Sequence, residues 1–256
     1  MSNNNTFELA LASAASLPML KIDRTSYLQK ELRAYCTDEQ LAQAIKYNPA
    51  YAGITVSVIH EIAQKSIKYE TTKVTSISAA AGLPGGLAMA ATIPADLTQY
   101  TAHLLRILQK LVYLYGWDDL IDENGFDDEI TTLLTLFMGI MFGVNSASTT
   151  LTKISTLAAQ QATKKIAQKA LTKTFYYPIV KKIAAAIGVK MTKDIFAKSV
   201  SKVIPVVGAA ASGGLTYVTF KPMANKLEQH LSTLKFCDVN YYENLRSSTE
   251  VTSEQI

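Results

Sequence analysis

The residues with the most suggestive chemistry are histidines that lie near acids. His60 and Glu61 begin a His-Glu-x-x-His pattern, in which two helical histidines bind zinc and the glutamate acts as a general base. Gln64 stands where the second histidine is required, so a zinc ligand is missing. Asp96 and His103 are seven residues apart and would share one side of a helix, where they could form an acid–base pair. A helix-capping Asp96 and a hydrogen-bonded His103 are the simpler interpretation, so neither pattern predicts a catalytic site.

The acidic segment at residues 117–130 is a second candidate ligand site, because it holds seven acids and no base. Calcium-binding EF-hand loops need glycine at the sixth position and acids at the first, third and fifth. With Gly125 in the sixth position, Leu120 occupies the first, so the first ligand is absent. A helix cap formed by Asp127 or Asp128 explains the acids more simply. We therefore predict no metal, no cofactor and no catalytic residues, and we interpret the protein as a non-enzyme.

Apolar residues recur with helical spacing along nearly the whole chain, and no two β-branched runs are joined by a hairpin turn. This pattern predicts an all-α, single-domain bundle of about eight to ten helices. Thr37 followed by Gln40 forms a capping box that starts one of them. The predicted helices span residues 7–16, 26–35, 37–48, 54–75, 96–116, 127–144, 148–173, 176–187, 192–203 and 206–232. We expect residues 1–20 to be a partly disordered extension, 21–235 the folded domain and 236–256 a partly disordered tail.

Charged residues make up 18% of the chain, against roughly 25% in an ordinary soluble domain. An apolar fraction of 48% and only two cysteines exclude general disorder and a disulfide scaffold. Three stretches without charge span residues 77–95, 131–152 and 203–220. Each approaches the ~18–20 residues that a membrane-spanning helix needs. The first and third contain proline and glycine, and the second is strongly apolar only at 133–144. We therefore interpret all three as buried helices.

Glycines in these uncharged stretches have a spacing that favours close helix packing. Small residues four positions apart allow two helix backbones to approach each other, in lipid or in a tight bundle. Such pairs are Gly82 with Gly86, Gly139 with Gly143, and Gly208 with Ser212. The segment 82–86 is also glycine-rich like a phosphate-binding loop, but it lacks the Gly-Lys-Ser/Thr ending and follows a predicted helix instead of a strand. The glycines therefore predict close-packed Gly- and Ala-rich helices.

Basic residues are concentrated in one part of the chain, residues 153–202, which we call the lysine segment. It contains eleven lysines and one acid, a charge of +10, so the rest of the chain carries −6 of the overall +4. Lysines beside apolar residues such as Ile183 and Ile187 are typical of helices on an anionic bilayer surface, although solvation of Ala-rich helices explains them equally well. The segment has no arginine, the preferred residue for contacts with phosphates and guanines, so we expect no nucleic-acid partner. The lysines expected to bind a membrane or an anionic partner are Lys164, Lys165, Lys169, Lys173, Lys181, Lys182, Lys190, Lys193, Lys198 and Lys202.

Two ordered blocks of residues resemble the EcsC protein family. The first comprises Gly-Leu-Pro-Gly at 82–85, an Ala-Asp-Leu helix start at 95–97 and Tyr-Gly-Trp-Asp at 115–118, and the second is Ile-Pro-Val-Val-Gly at 204–208. The matching positions, which also serve helix packing, are Gly82, Pro84, Gly85, Gly86, Asp96, Tyr115, Gly116, Asp118, Pro205 and Gly208. The resemblance covers about residues 54–234 and implies an all-α bacterial protein linked to a membrane, in a family named for a gene beside an ABC transporter. It implies no catalytic residues.

The charge distribution and the family resemblance indicate where the protein acts, but they do not indicate a reaction that it catalyses. Our first hypothesis is a cytoplasmic, non-enzymatic protein that associates peripherally with the inner face of the membrane through the lysine segment, with anionic lipid as its partner. The alternative is a protein-binding accessory module that docks on a membrane transporter. A second alternative is a pore-forming or immunity-type protein built on helical hairpins.

Overall fold

A computed structural model describes residues 3–82, 93–121, 126–160, 173–201 and 205–253. Within these ranges the chain forms ten α-helices and one 3-10 turn, and it contains no strand. The helices are α1 (Asn3–Ala15), α2 (Arg24–Leu32), α3 (Asp38–Lys46), α4 (Val56–Gly82), α5 (Ile93–Leu114), α6 (Asp128–Met141), α7 (Asn145–Gln160), α8 (Lys173–Ser201), α9 (Pro205–Leu231) and α10 (Val239–Ser253). The prediction of an all-α helical bundle is confirmed.

Helix starts show how far local sequence signals decide the structure. Thr37 and Gln40 form the predicted capping box at the start of α3, each side chain bonding to the backbone of the other. Asp127 caps α6, where its carboxylate accepts a hydrogen bond from the backbone N–H of Ile130. The prediction for Asp96 is wrong, because α5 is described from Ile93 onward and Asp96 lies inside the helix. Proline is tolerated in the first turn of a helix, where its missing N–H has no partner to lose, so Pro94 does not delay the start.

Two regions are more helical than the sequence suggested. Helix α8 runs without interruption over the range 173–201, where two separate helices were predicted. Gly188 does not break it; a glycine in a helix interior costs about 1 kcal/mol, and burial of the neighbouring Ile187 and Met191 offsets that cost. The tail that was expected to be partly disordered contains α10, whose Tyr242 is buried and accepts a hydrogen bond from Asn48 at 2.8 Å.

Helix α5 lies at the centre of the core. It packs against α1, α4 and α9, and its side chains from Ala102 onward are buried on almost every side. Burial around nearly the whole circumference is typical of such a central helix. Helix α1 covers part of it with Phe7 and Leu11, which are both buried, so part of the predicted N-terminal extension belongs to the core.

Close packing at Gly139 joins α6, α7 and α8. A Cβ at this position would lie 2.7 Å from Ala147 Cβ and 2.7 Å from Ile183 Cγ2, so only glycine allows this approach. Gly143 has a different role, since its φ of +68° ends α6 in the left-handed region that glycine adopts without strain.

Among the described helices, none combines the length and the apolar content required to cross a membrane.

Candidate functional site

A buried carboxylate on α4 collects the charged side chains of α5. Glu70 is completely buried, and its Oε2 accepts a hydrogen bond from Nδ1 of His103 at 2.8 Å. Its Oε1 accepts a hydrogen bond from Nζ of Lys110 at 2.9 Å, and Nε of Arg106 lies 3.5 Å from the same oxygen. We call these four residues the Glu70 cluster. It places two permanent cations, and an imidazole, around one carboxylate.

The surroundings keep Glu70 ionised. Burial alone would raise the pKa of this carboxyl, because a charge is poorly solvated inside the protein. Hydrogen bonds from His103 and Lys110, with the charges of Lys110 and Arg106, outweigh burial and lower the pKa of Glu70 to about 2. An ionised carboxylate only accepts hydrogen bonds, so Nδ1 of His103 must carry the proton between them. Nε2 of His103 has no partner within the described part of the chain.

The helical repeat of α5 explains why these side chains meet. His103, Arg106 and Lys110 follow each other at intervals of three and four residues and therefore share one side of the helix. Most of the remaining circumference is apolar, with Leu104 and Ile107 fully buried, and the buried Gln109 side chain bonds to the backbone before α2. A row of three basic or titratable residues on a core helix indicates a buried acid on a neighbouring helix. This spacing is visible in the sequence, but the sequence analysis did not predict the acid from it. His103 is thus the hydrogen-bonded core residue of the simpler interpretation, and its partner is Glu70 on the neighbouring helix.

An open cleft of about 540 Å³ lies beside the Glu70 cluster. We call it the basic cleft. Its walls come from the turn before α2 and from α2, α4 and α5. The lining residues are Lys21, Ile22, Asp23, Ser26, Tyr27, Lys30, Glu31, Lys65, Ser66, Tyr69, Arg106 and Lys110. Five of these are cationic and two are acidic, so anionic ligands are favoured.

Aromatic rings form part of the cleft wall and hold Lys110. Its Nζ lies 5.8 Å from the ring centre of Tyr27 and 4.9 Å from that of Tyr69, both within the range of cation–π attraction. Tyr27 is buried and shares a 2.7 Å hydrogen bond with Ser66, whereas Tyr69 remains largely exposed. Burial raises the pKa of Tyr27 well above its usual range, so the hydroxyl stays neutral. Lys110 therefore has a fixed position at the base of the basic cleft.

A second buried acid, Glu228 on α9, lies away from this cleft. Its Oε1 accepts hydrogen bonds from the hydroxyl of Tyr115 and, at 2.7 Å, from Nδ1 of His60. Burial and the adjacent Glu228 carboxylate raise the pKa of Tyr115 far above its usual range, so the phenol stays protonated and donates. Cys237 is buried nearby, and burial raises its thiol pKa as well. Because these groups are enclosed or bound to each other, this cluster ties α5 to α9 and offers no reactive nucleophile.

Only part of the predicted lysine set can be placed. Lys164, Lys165, Lys169 and Lys202 lie outside the described residues, and Lys173, Lys193 and Lys198 are described only by their backbone positions in α8. Lys181 and Lys182 are exposed in the middle of α8. Lys190 instead donates to the carbonyl oxygen of Phe142 and lies 3.5 Å from that of Gly143, at the end of α6. Lys190 therefore stabilises a helix C-terminus, a role that suits its charge.

The apolar neighbours of these lysines face inward. Ile183 and Ile187 are completely buried and pack in the core, so they cannot lie on a bilayer in this conformation. Lys181 and Lys182 are adjacent and therefore differ by about 100° around the helix. Lys181 and Lys182 thus form an exposed basic pair, and the two isoleucines that follow them in the described part of α8 face the core. The expectation of an amphipathic membrane-facing stripe around Ile183 and Ile187 is wrong.

The residues of the family-like blocks are placed unevenly. Tyr115 and Gly116 end α5, where Gly116 has a φ of +90° and Tyr115 binds Glu228. Asp118 follows in the connection to α6 and is partly buried. Pro84, Gly85 and Gly86 lie outside the described residues, and Gly82, Asp96, Pro205 and Gly208 are described by backbone position only. The packing role expected for this set is therefore visible only at the end of α5.

No family model, no curated protein and no solved structure matches this chain. The resemblance to the EcsC family rests on the residue blocks alone. Within the described residues, no group of three or more His, Cys, Asp or Glu side chains is arranged to hold a metal ion. The arrangement of the described side chains therefore favours electrostatic binding at two places, the basic cleft and the exposed lysines of α8.

Proposed function

We propose that this protein is a non-enzymatic, EcsC-like bacterial protein that associates peripherally with the cytoplasmic face of the membrane through the lysine segment. The observation that carries the proposal is the separation of charge, +10 within residues 153–202 and −6 in the rest of the chain. Such asymmetry concerns partners, since a strongly basic region attracts anionic surfaces while an acidic remainder is repelled by them. The protein would therefore approach an anionic bilayer in one orientation.

Exposure of Lys181 and Lys182 supports this proposal, because their charges can approach lipid headgroups without unfolding. Each basic residue near an anionic leaflet contributes about 1 kcal/mol. Six lysines facing one way would supply roughly 6 kcal/mol, which corresponds to a dissociation constant between micromolar and millimolar. Since Ile183 and Ile187 are buried, insertion of these two side chains adds nothing in this conformation. The binding we propose is therefore weak, reversible and sensitive to salt.

Vesicle flotation tests this proposal directly. The protein should float with vesicles that contain phosphatidylglycerol and remain in the lower fractions with pure phosphatidylcholine, and high salt should abolish flotation. The double variant Lys181→Glu/Lys182→Glu should float several-fold less. A matched control is Lys68→Glu/Lys73→Glu, which reverses two exposed lysines of α4 outside the lysine segment. Equal recovery with neutral and anionic vesicles would show that the proposal is wrong.

A second candidate, docking on an acidic surface of a membrane transporter, is favoured by the buried position of Ile183 and Ile187. Lysines without an apolar stripe suit a charged protein surface as well as a headgroup layer. This function predicts a salt-sensitive complex with a membrane protein that persists in detergent after the lipid is removed. Crosslinking in cells, followed by purification in detergent, separates the two functions, because lipid binding alone yields no crosslinked protein partner.

A further inference from the structure

We propose that the basic cleft binds a phosphate group. The cleft shares no residue with the lysine segment, so this inference goes beyond the proposed membrane association. Its five cations, Lys21, Lys30, Lys65, Arg106 and Lys110, come from the turn before α2 and from α2, α4 and α5. They therefore surround the cleft instead of lying along one wall.

The charges around the cleft favour an anionic ligand. The lining contributes two acids, Asp23 and Glu31. Two acids outside the lining also pair with its lysines, Glu61 at 2.7 Å from Lys65 and Glu70 at 2.9 Å from Lys110. Five cations against four acids leave one positive charge in excess. Lys110 is buried and Arg106 half-buried, and charges in such positions are normally compensated by a partner of opposite sign. The other three cations are exposed and attract an anion from solution. A ligand group with one negative charge, such as a phosphodiester or a singly ionised phosphate ester, would complete the balance.

Arg106 retains donors that a ligand oxygen could accept from. One terminal nitrogen of its guanidinium donates to the carbonyl oxygen of Met19, which fixes the group at the base of the cleft. Its Nε is buried and lies 3.5 Å from Oε1 of Glu70, so a ligand oxygen would meet the remaining N–H groups of the terminal nitrogens. A fixed arginine is also the side chain best suited to phosphate oxygens.

The distribution of donors favours phosphate over carboxylate. A carboxylate offers two oxygens in one plane and is best bound by a single guanidinium. A phosphate is tetrahedral and accepts hydrogen bonds from several directions, which matches cations that approach from four segments of the chain. The cleft, at about 540 Å³, falls in the size range of pockets for small organic ligands. The exposed ring of Tyr69 provides an apolar wall for the organic part of a phosphate ester.

A phosphate group of this kind has two sources, a soluble phosphate ester or a phospholipid headgroup, and calorimetry with defined probes distinguishes them. Titration with inorganic phosphate and with sn-glycerol 3-phosphate at low salt should give saturable binding, whereas acetate at the same concentration should not. Lys21→Glu reverses an exposed rim charge and should weaken sn-glycerol 3-phosphate binding about tenfold or more. Lys46→Glu, which reverses an exposed lysine outside the cleft, should leave the binding unchanged.

A second variant tests whether positive charge alone explains phosphate binding. Arg106→Lys keeps the charge but removes the planar set of donors, so we expect about tenfold weaker binding.

If headgroups are the source, sn-glycerol 3-phosphate should compete with phosphatidylglycerol vesicles, and Lys21→Glu should reduce flotation. If the ligand is soluble, neither sn-glycerol 3-phosphate nor the Lys21→Glu substitution should affect flotation. Lys181→Glu/Lys182→Glu should lower flotation without changing calorimetric binding. Failure of the membrane proposal can therefore be distinguished from failure of the phosphate-binding proposal. Three results would overturn the inference: no binding of either phosphate probe, equal binding of acetate, or an affinity in Lys21→Glu and Arg106→Lys that equals that of the unmodified protein.

Discussion

Nδ1 of His103 lies 2.8 Å from Oε2 of Glu70, and both side chains are completely buried between α4 and α5. This contact joins the central helix of the core to its neighbour through a polar bond. The other carboxylate oxygen binds Lys110, so one acid satisfies two side chains of α5. Removing such an acid leaves buried cations without compensation, which costs far more than the pair itself contributes. The Glu70 cluster should therefore determine whether α4 and α5 remain packed.

Glu70→Gln should lower the free energy of unfolding by about 3–5 kcal/mol, because Lys110 and Arg106 lose their only charged partner in the cluster. Urea denaturation followed by circular dichroism measures the change. The matched control is Glu61→Gln, which removes an exposed acid paired with Lys65 on the same helix. The control should leave the denaturation midpoint nearly unchanged, since exposed ion pairs contribute little. Similar losses in both variants would show that the buried pairing is unimportant.

The pKa of Glu70 predicts a specific loss of stability in acid. This carboxyl has a pKa of about 2 in the folded protein, below the ordinary value of 4.5. Because folding lowers the pKa, its stabilising contribution is fully present above pH 4.5 and is lost as the pH falls towards 2. The contribution corresponds to about 3 kcal/mol in order of magnitude. Carbon-detected NMR of glutamate carboxyl groups should show one resonance that is still ionised at pH 3; ordinary titration of every glutamate would contradict this assignment.

Local signals in the sequence predicted the helical fold because each acts within one or two turns. The capping box at Thr37 and the cap at Asp127 formed as expected, since each needs only a side chain and the next backbone N–H groups. The separation of α8 into two helices was wrong because a tertiary contact decided it. Burial of Ile187 and Met191 outweighs the low helix propensity of Gly188 between them.

The candidate site depended on contacts that periodicity does not reveal. The row His103, Arg106 and Lys110 is visible in the sequence, but its partner Glu70 lies more than thirty residues earlier on another helix. Pairing between helices depends on how they pack, and a single sequence does not contain that information. The direction of side chains in the lysine segment also depends on packing between helices. Its charge was evident, yet the inward direction of Ile183 follows from packing against α6.

Tyr115→Phe should destabilise the protein by about 1–3 kcal/mol, because Glu228 loses the hydrogen bond of a buried phenol. His60 would remain as its partner, and the side chain of His60 is 56% exposed, so water screens its contribution. The control is Tyr217→Phe, which removes a hydroxyl from an exposed tyrosine of α9. Thermal unfolding should show a lower midpoint for Tyr115→Phe than for Tyr217→Phe. Identical midpoints would mean that the Tyr115–Glu228 bond does not contribute to stability.

Two glycine substitutions test the close packing of α6 against α7 and α8. Gly139→Ala places a methyl group 2.7 Å from Ala147 Cβ and from Ile183 Cγ2, so the helices must move apart, at a cost of about 1–3 kcal/mol. Gly214→Ala on α9 meets no atom within 4 Å and should stabilise the helix by about 0.5–1 kcal/mol, because alanine loses less backbone entropy on folding.

The same methyl group is added in both variants, so intrinsic helix propensity alone would stabilise both. Opposite shifts in the urea midpoint are therefore expected, downward for Gly139→Ala and upward for Gly214→Ala. An upward shift in both would mean that α6 has room for a side chain at Gly139 and that helix propensity decides. A downward shift for Gly139→Ala alone would establish that the contact with Ala147 and Ile183 requires glycine, and hence that Ile183 holds α8 against α6.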